Sequence, residues 1–223
     1  MTPRPARALA STTAPIVILG AALAIAGAEI SGLTALHYVF KPLTTLLILW
    51  VAARAADAEP VYRRAVVIGL LLSLAGDVFL MLPGDWFAFG LGSFLLAHLA
   101  YLSALRRRAR WFRPLWPLFA YALIAGAVLA FLWPHVPAGL KAPVAVYVVA
   151  LAGMAAQAAC VWRVRPHRAT VLAAFGGACF VLSDAVLAID RFAGGVPYAT
   201  AIVLISYWTA QWCIARSVLR VAR

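Results

Sequence analysis

Acidic residues are scarce in this sequence, and charge of either sign is uncommon. Seven Asp and Glu stand against 19 Lys and Arg, and charged side chains make up 12% of the 223 residues. A soluble domain carries about 25% charged residues, whereas 65% of this chain is hydrophobic and its mean hydropathy is +0.96. These proportions exclude a water-soluble globular enzyme, a disordered chain and a coiled coil. They are typical of a protein that crosses a membrane many times.

Cysteines and familiar catalytic motifs are also few. Cys160, Cys179 and Cys213 lie in or beside apolar runs and form no C-x-x-C pair, so we expect free thiols. The sequence has no G-x-S-x-G elbow and no H-E-x-x-H pair, and its four histidines are scattered. Serine-hydrolase and zinc-protease chemistry are therefore disfavoured, and no metal or cofactor site is predicted.

Apolar runs long enough to cross a bilayer recur along the whole chain. We predict an all-α, polytopic membrane helical bundle of about eight transmembrane helices, which forms a single domain over residues 1–223. The first run begins like a cleavable signal peptide, but it continues past Ala26-Gly27-Ala28, so we predict a retained helix. The predicted spans are 15–36, 38–55, 65–82, 86–105, 114–134, 141–162, 169–190 and 197–217.

Basic residues are distributed unequally between the two ends of these helices. The chain termini and every second connection hold 16 Lys and Arg, and the alternate connections hold 3. The positive-inside rule therefore predicts that both termini are cytoplasmic. We expect the membrane to be the cell (inner) membrane of a bacterium. Residues 106–110, with four arginines, are then expected to form a loop at the anionic leaflet, and no nucleic-acid partner is predicted.

Short fragments recur about 100 to 113 residues apart. Gly76-Asp77-Val78-Phe79-Leu80 is similar to Ser183-Asp184-Ala185-Val186-Leu187, for example. Since four helices are an even number, both copies would face the same way. The pattern predicts a 4+4 parallel internal repeat, with halves at about 15–105 and 114–217.

Two carboxyl groups lie well inside apolar runs, at Asp77 and Asp184. Such a group costs about 2.5–3.5 kcal/mol at mid-membrane and normally faces the bundle interior. With a rise of about 1.5 Å per residue, both lie roughly 9–10 Å below the outer boundary. Other polar residues are expected nearby: Glu29 and Ser93 at the same level, Lys41 at the outer mouth of helix 2, and His98 deeper, with Tyr101 one turn further on the same face.

Structural interpretations compete with functional ones at several of these positions. Asp85 and Asp190 fall at span ends, where solvation is expected. Glu29 either belongs to the polar cluster or is a structural partner of Lys41. Asp77 and Asp184 could simply hold helices 3 and 7 together. The aromatic clusters at span ends are expected to be interfacial anchors, and Gly76, Gly90 and Gly92 to permit close helix approach.

Two buried acids that share a pocket tend to divide into a proton donor and an anion, because a low dielectric favours the neutral form and a nearby cation favours the charged one. That division suits hydrolysis through an oxocarbenium ion, in which one carboxyl protonates the substrate and the other stabilises the cation or activates water. The residues alone do not say which acid takes which role.

Between about residue 38 and residue 215 the sequence resembles the YhhN/TMEM86 family of polytopic membrane proteins. The resemblance rests on Lys41-Pro42, Gly76-Asp77, Phe87-x-x-Gly90-x-x-Ser93-Phe94-x-x-Ala97-His98-x-x-Tyr101, Ser183-Asp184, Tyr207 and Gln211. It implies a lysoplasmalogenase, which cleaves the vinyl ether of a lysoplasmalogen into a fatty aldehyde and glycerophosphocholine or glycerophosphoethanolamine. The family's two intramembrane aspartates match Asp77 and Asp184.

The resemblance and the chemistry agree on a mechanism. Protonation of the outer alkene carbon gives an oxygen-stabilised cation, water captures it, and the hemiacetal collapses to aldehyde and alcohol, without metal or cofactor. We expect Asp77 and Asp184 to be the acid/base pair and a lysophospholipid to enter sideways from the membrane lipid, with its head near Lys41. Other candidate substrate- or water-binding residues are Glu29, Ser93, His98, Tyr101, Ser183, Tyr207 and Gln211. The oligomeric state stays open.

Two other classes of protein fit the same residues. A proton-coupled transporter of small molecules or lipids would use the same intramembrane aspartates. It should show Gly or Pro interruptions at mid-depth, whereas the prolines here cluster at span ends. A non-catalytic assembly or lipid-sensing protein would use the acids only to bind helices together.

Overall fold

The computed structural model describes residues 5–56 and 58–219, with side chains from residue 12 onward. This part of the chain folds into eight α-helices, as predicted, and its only β-pairing is an isolated bridge between Ala58 and Leu219. A helix satisfies every backbone group within its own segment, which lipid requires. The helices are α1 (Pro5–Glu29), α2 (Thr34–Ala53), α3 (Pro60–Met81), α4 (Phe87–Arg106), α5 (Trp116–Leu132), α6 (Ala138–Val164), α7 (Arg168–Phe192) and α8 (Ala199–Arg216).

Six of the eight helices, α1 to α4, α6 and α7, are long and apolar enough to span a membrane. Helix α5 is apolar but has 17 residues, and α8 is less apolar because it carries Ser206, Thr209 and Gln211. Both are packed beside full-length spans, α5 on α6 and α8 on α7. The chain is an integral, multi-pass membrane protein.

The first two helices differ from the predicted spans. Helix α1 ends at Glu29, not at residue 36, and a turn with Gly32 at φ +87° leads into α2 at Thr34. Lys41 therefore lies about two turns inside α2 and not at its head, while Glu29 is exposed at the end of α1. The apolar residues of the turn concealed this boundary, because composition alone does not distinguish an apolar turn from a helix.

Close helix approach holds the bundle together. The most extensive contacts join α3 to α4, α7 to α8 and α1 to α2, while α6 packs against α4, α5 and α7. A Cβ at Gly76 would lie 2.6 Å from the Phe94 ring, and one at Gly90 would lie 2.8 Å from Leu80, so small residues are required there. The same prediction is wrong for Gly92, where a Cβ would meet nothing within 4 Å.

Arg108 is not the leaflet-facing charge that the sequence suggested, because it is 2% exposed. Its guanidinium donates hydrogen bonds to Glu59 (3.0 Å) and to the carbonyl oxygens of Ser217 (2.8 Å) and Leu219 (3.0 Å). It also lies 3.5 Å from the centroid of the Tyr62 ring. Arg108 thus binds the start of α3 to the segment after α8. The three cysteines are free thiols, as predicted.

Candidate active site

Asp184 is held by a tyrosine that is not among the predicted site residues. The Tyr147 hydroxyl on α6 donates a hydrogen bond to Oδ2 of Asp184 on α7. Tyr147 is the one polar side chain in the apolar stretch 142–152 of α6, and that isolation was the available signal. The carboxyl is therefore oriented by the neighbouring helix.

Asp184 and Tyr147 also form part of a cavity wall. The cavity lies among α3, α4, α5, α6 and α7. Its empty volume is about 800 Å³, a figure that includes the open space at its mouth. Apart from these two residues its lining is entirely apolar. It extends from Val181 and Leu151, near the middle of α7 and α6, to Phe87 and Phe192 at the ends of α4 and α7, which we call the outer end of the cavity. A carboxyl group thus faces a space suited to hydrocarbon.

Asp77 occupies a second, enclosed cluster. It is 2% exposed, and its Oδ2 accepts hydrogen bonds from the Thr45 hydroxyl (2.7 Å) and the Tyr207 hydroxyl (2.8 Å). Lys41, which is buried on α2, lies close enough to Asp77 for their charges to interact. Thr45 follows Lys41 by one helical turn, a spacing that could have predicted their shared face.

A chain of hydrogen bonds extends inward from the Asp77 cluster. The Gln211 amide donates to the Tyr207 hydroxyl (2.9 Å), and the Tyr101 hydroxyl donates to Gln211 Oε1 (2.9 Å). Ser73 lies 3.3 Å from the Tyr101 hydroxyl. The predicted residues Tyr101, Tyr207 and Gln211 are therefore brought together with Asp77, although as a connected network and not as a cavity lining.

His98 lies between the two clusters. Its ring centroid is 5.4 Å from that of Tyr147, 6.4 Å from that of Tyr101 and 5.1 Å from that of Phe180. The residue is 1% exposed, and neither ring nitrogen has a hydrogen-bond partner within the described part of the chain. Buried polar groups in folded proteins normally have a hydrogen-bond partner, so the two ring nitrogens of His98 are an exception to that rule.

The matching depth of the two aspartates predicts that both face one open cavity, and this prediction is wrong. Asp184 lines the cavity and Asp77 does not, and each has its own hydrogen-bond partners. Ring contacts connect them: Tyr207 to Phe180 at 5.9 Å, Phe180 to His98 at 5.1 Å, and His98 to Tyr147 at 5.4 Å.

Four other predicted residues lie apart from the cavity. Ser183 is buried and donates to the carbonyl oxygen of Val203 (3.1 Å), which joins α7 to α8. Ser93 is half-buried on α4 and does not line the cavity, Glu29 is exposed, and Lys41 belongs to the Asp77 cluster. Among residues 5–56 and 58–219, no three His, Cys, Asp or Glu side chains are grouped so as to hold a metal ion.

Comparison with known proteins assigns the family. The sequence profile of the YhhN family matches residues 36–218. The protein named Lysoplasmalogenase from Mycobacterium bovis is 37% identical over 198 residues, 81% of this chain and 72% of its own. Lysoplasmalogenase TMEM86B from Homo sapiens is 32% identical over 174 residues, 77% of this chain and 69% of its own.

A bacterial relative covers more of both chains. The Uncharacterized membrane protein YhhN of Escherichia coli is 29% identical over 193 residues, 85% of this chain and 90% of its own. No solved structure matches the chain. Since the family profile extends from α2 to the end of α8 and includes both intramembrane aspartates, the chain belongs to the YhhN family.

Proposed function

We propose that this protein is an intramembrane lysoplasmalogenase, which hydrolyses the vinyl ether of a lysoplasmalogen to a fatty aldehyde and a glycerophospho head group. The observation that carries the proposal is a carboxyl group, Asp184, oriented by Tyr147 in the wall of an otherwise apolar cavity. The names of the Mycobacterium bovis and Homo sapiens relatives support the same activity.

The cavity suits a single-chain lipid. Apart from Asp184 and Tyr147 its lining is apolar, which is the surface that a hydrocarbon tail requires. Within the described chain, α4 and α5 make no close approach to each other, although each packs against α6. The gap between α4 and α5 is the proposed lateral entrance, through which the hydrocarbon tail reaches the cavity without crossing water.

Asp184 is the proposed proton donor. Because Tyr147 occupies Oδ2, the other carboxyl oxygen carries the proton and delivers it to the outer alkene carbon. The adjacent carbon becomes an oxygen-stabilised cation, which the resulting carboxylate stabilises electrostatically. Water then adds to this carbon, returns a proton to the carboxylate, and the hemiacetal collapses to the aldehyde and the free alcohol.

His98 is the proposed ligand of the attacking water. The reaction consumes one water molecule, and His98, whose ring nitrogens have no partner in the described chain, packs against Tyr147, the residue that holds Asp184. Asp77 is the proposed second carboxyl, in the role of a positioning residue. It fixes Tyr207, and through Gln211 also Tyr101, whose ring packs against His98.

Aldehyde release by purified protein tests the proposal. In nonionic detergent, the protein should release aldehyde from an alkenyl lysophosphoethanolamine and none from the saturated alkyl analogue, which has no double bond to protonate. Asp184→Asn should reduce kcat by about 10²–10⁴-fold, the usual contribution of a general acid, with unchanged elution on size exclusion. No release by the wild type, or full activity of the variant, would refute it.

We also propose that the arginine-rich ends of the helices, and hence both termini, lie in the cytoplasm beneath a bacterial inner membrane. The unequal distribution of basic residues, 16 against 3, supports this orientation. A reporter fused to either terminus should be protected from an impermeant label in intact cells. Labelling of both fusions would reverse the orientation.

A further inference from the structure

The outer rim of the cavity carries one cation and one anion side by side. Arg191 and Asp85 form an ion pair at 3.0 Å, with side chains 47% and 75% exposed. The Arg191 guanidinium lies 5.1 Å from the centroid of the Phe87 ring, which in turn packs edge-on against Phe192 at 5.5 Å. Since Phe87 and Phe192 line the cavity, the ion pair lies at its outer end.

We infer that this ion pair is the binding site for a zwitterionic phosphodiester head group, with the phosphate at Arg191 and the ammonium at Asp85. The inference rests on the proposed function, because it takes the reacting bond of the lipid to lie at Asp184. It replaces the expectation that the head lies near Lys41, which belongs to the enclosed Asp77 cluster.

The spacing along α7 fits such a lipid. Asp184 and Arg191 are seven residues apart, so they share one face of the helix and are separated by about 10.5 Å along its axis. In the lipid, seven bonds join the outer alkene carbon to phosphorus, a span of about 8 Å at the advance per bond of an extended backbone. Hydrogen-bond contacts at both ends account for the remainder.

The charges of the site are complementary to both charges of the head group. A guanidinium binds phosphate oxygens in a bidentate manner, and the Asp85 carboxylate can pair with the ammonium. An exposed ion pair contributes little to stability, so exchanging each partner for a lipid charge carries little penalty. A head group with only the phosphate would leave Asp85 without a cation.

Kinetics with matched head groups test the assignment. For an alkenyl lysophosphoethanolamine, Arg191→Gln should raise KM about ten-fold or more, while kcat and the turnover of an alkenylglycerol without phosphate change little. Asp85→Asn should raise KM for the ethanolamine lipid and not for the corresponding phosphoglycerol lipid. Lys141→Gln is the matched control, since Lys141 lies on the Trp133 ring outside the cavity lining.

Equilibrium binding separates this inference from the proposed activity. If neither the wild type nor any variant releases aldehyde, the proposed function fails. Binding of a saturated alkyl lysophosphoethanolamine then still tests the head-group site. Arg191→Gln and Asp85→Asn should then weaken binding about ten-fold, and Lys141→Gln should not. Equal KM values, or equal affinities, in Arg191→Gln and Lys141→Gln would overturn the assignment.

Discussion

Tyr147 on α6 donates a hydrogen bond to Asp184 on α7, and both side chains lie in the wall of the same apolar cavity. The contact orients the carboxyl through one of its oxygens and leaves the other oxygen without a hydrogen bond to Tyr147. It also joins the acid to His98, whose ring packs against that of Tyr147.

Removal of the Tyr147 hydroxyl should slow the reaction without preventing substrate binding. Tyr147→Phe keeps the aromatic packing against His98 but releases Asp184, so we expect kcat to fall about ten-fold or more with KM nearly unchanged. Aldehyde release at several substrate concentrations measures both constants. Tyr38→Phe, at an exposed tyrosine of α2, is the control, and an equal kcat in the two variants would contradict the prediction.

Replacement of His98 should separate activity from stability. Both of its ring nitrogens are buried without a partner in the described chain, so His98→Leu removes the cost of burying unpaired polar groups. We expect an equal or higher melting temperature together with a large loss of kcat. A lower melting temperature with retained turnover would show that His98 is a packing residue.

The Asp77 cluster should respond in a graded way. Thr45→Val removes one of the two hydrogen bonds that Oδ2 accepts, and Tyr207 still holds the carboxyl. Asp77→Asn places an amide among the donors Thr45 and Tyr207, so it should destabilise the protein by about 1–3 kcal/mol and lower kcat further than Thr45→Val does. Thermal unfolding in detergent and aldehyde release give the two readouts. A larger loss of stability and of kcat in Thr45→Val than in Asp77→Asn would exclude Asp77 as the centre of this cluster.

Arg108 should be a main determinant of stability. Arg108→Met leaves two carbonyl oxygens without their donor and Glu59, whose side chain is 40% exposed, without its cation, so we expect a loss of about 1–3 kcal/mol. Arg108→Lys should not restore stability, since an ammonium cannot reproduce three divergent hydrogen bonds. The exposed neighbour Arg107→Met should stay within about 0.5 kcal/mol of the wild type. Similar melting temperatures for Arg107→Met and Arg108→Met would refute this.

Two helical glycines give a matched steric test. A Cβ at Gly69 would lie 2.2 Å from the Tyr101 ring, whereas one at Gly92 would meet nothing within 4 Å. Gly69→Ala should therefore destabilise by about 1–3 kcal/mol through overpacking. Gly92→Ala should be neutral or stabilise by up to about 1 kcal/mol, because alanine favours the helix. Melting temperatures in the opposite order would contradict the packing of α3 on α4.

Parts of the site could be predicted because of what lipid does to polar groups. An isolated Asp in an apolar run must face the bundle interior, which is why Asp77 and Asp184 were identified without any contact being known. The positions of Lys41 and Glu29 in the membrane are predicted less well, because their depth depends on a boundary between α1 and α2 that the composition does not reveal. The internal 4+4 repeat stays a prediction.

Residue patterns are enough to predict a membrane-embedded bundle of eight helices with two acids in its interior, since a bilayer solvates neither backbone groups nor charges. The contacts of Tyr147 with Asp184, and of Thr45 and Tyr207 with Asp77, are visible only in the folded chain, as is the finding that Asp184 lines the cavity and Asp77 does not. A helix that is apolar on every side can be rotated about its axis without changing its fit to lipid, so its sequence does not reveal which side faces a neighbour. Packing among small residues determines that rotation.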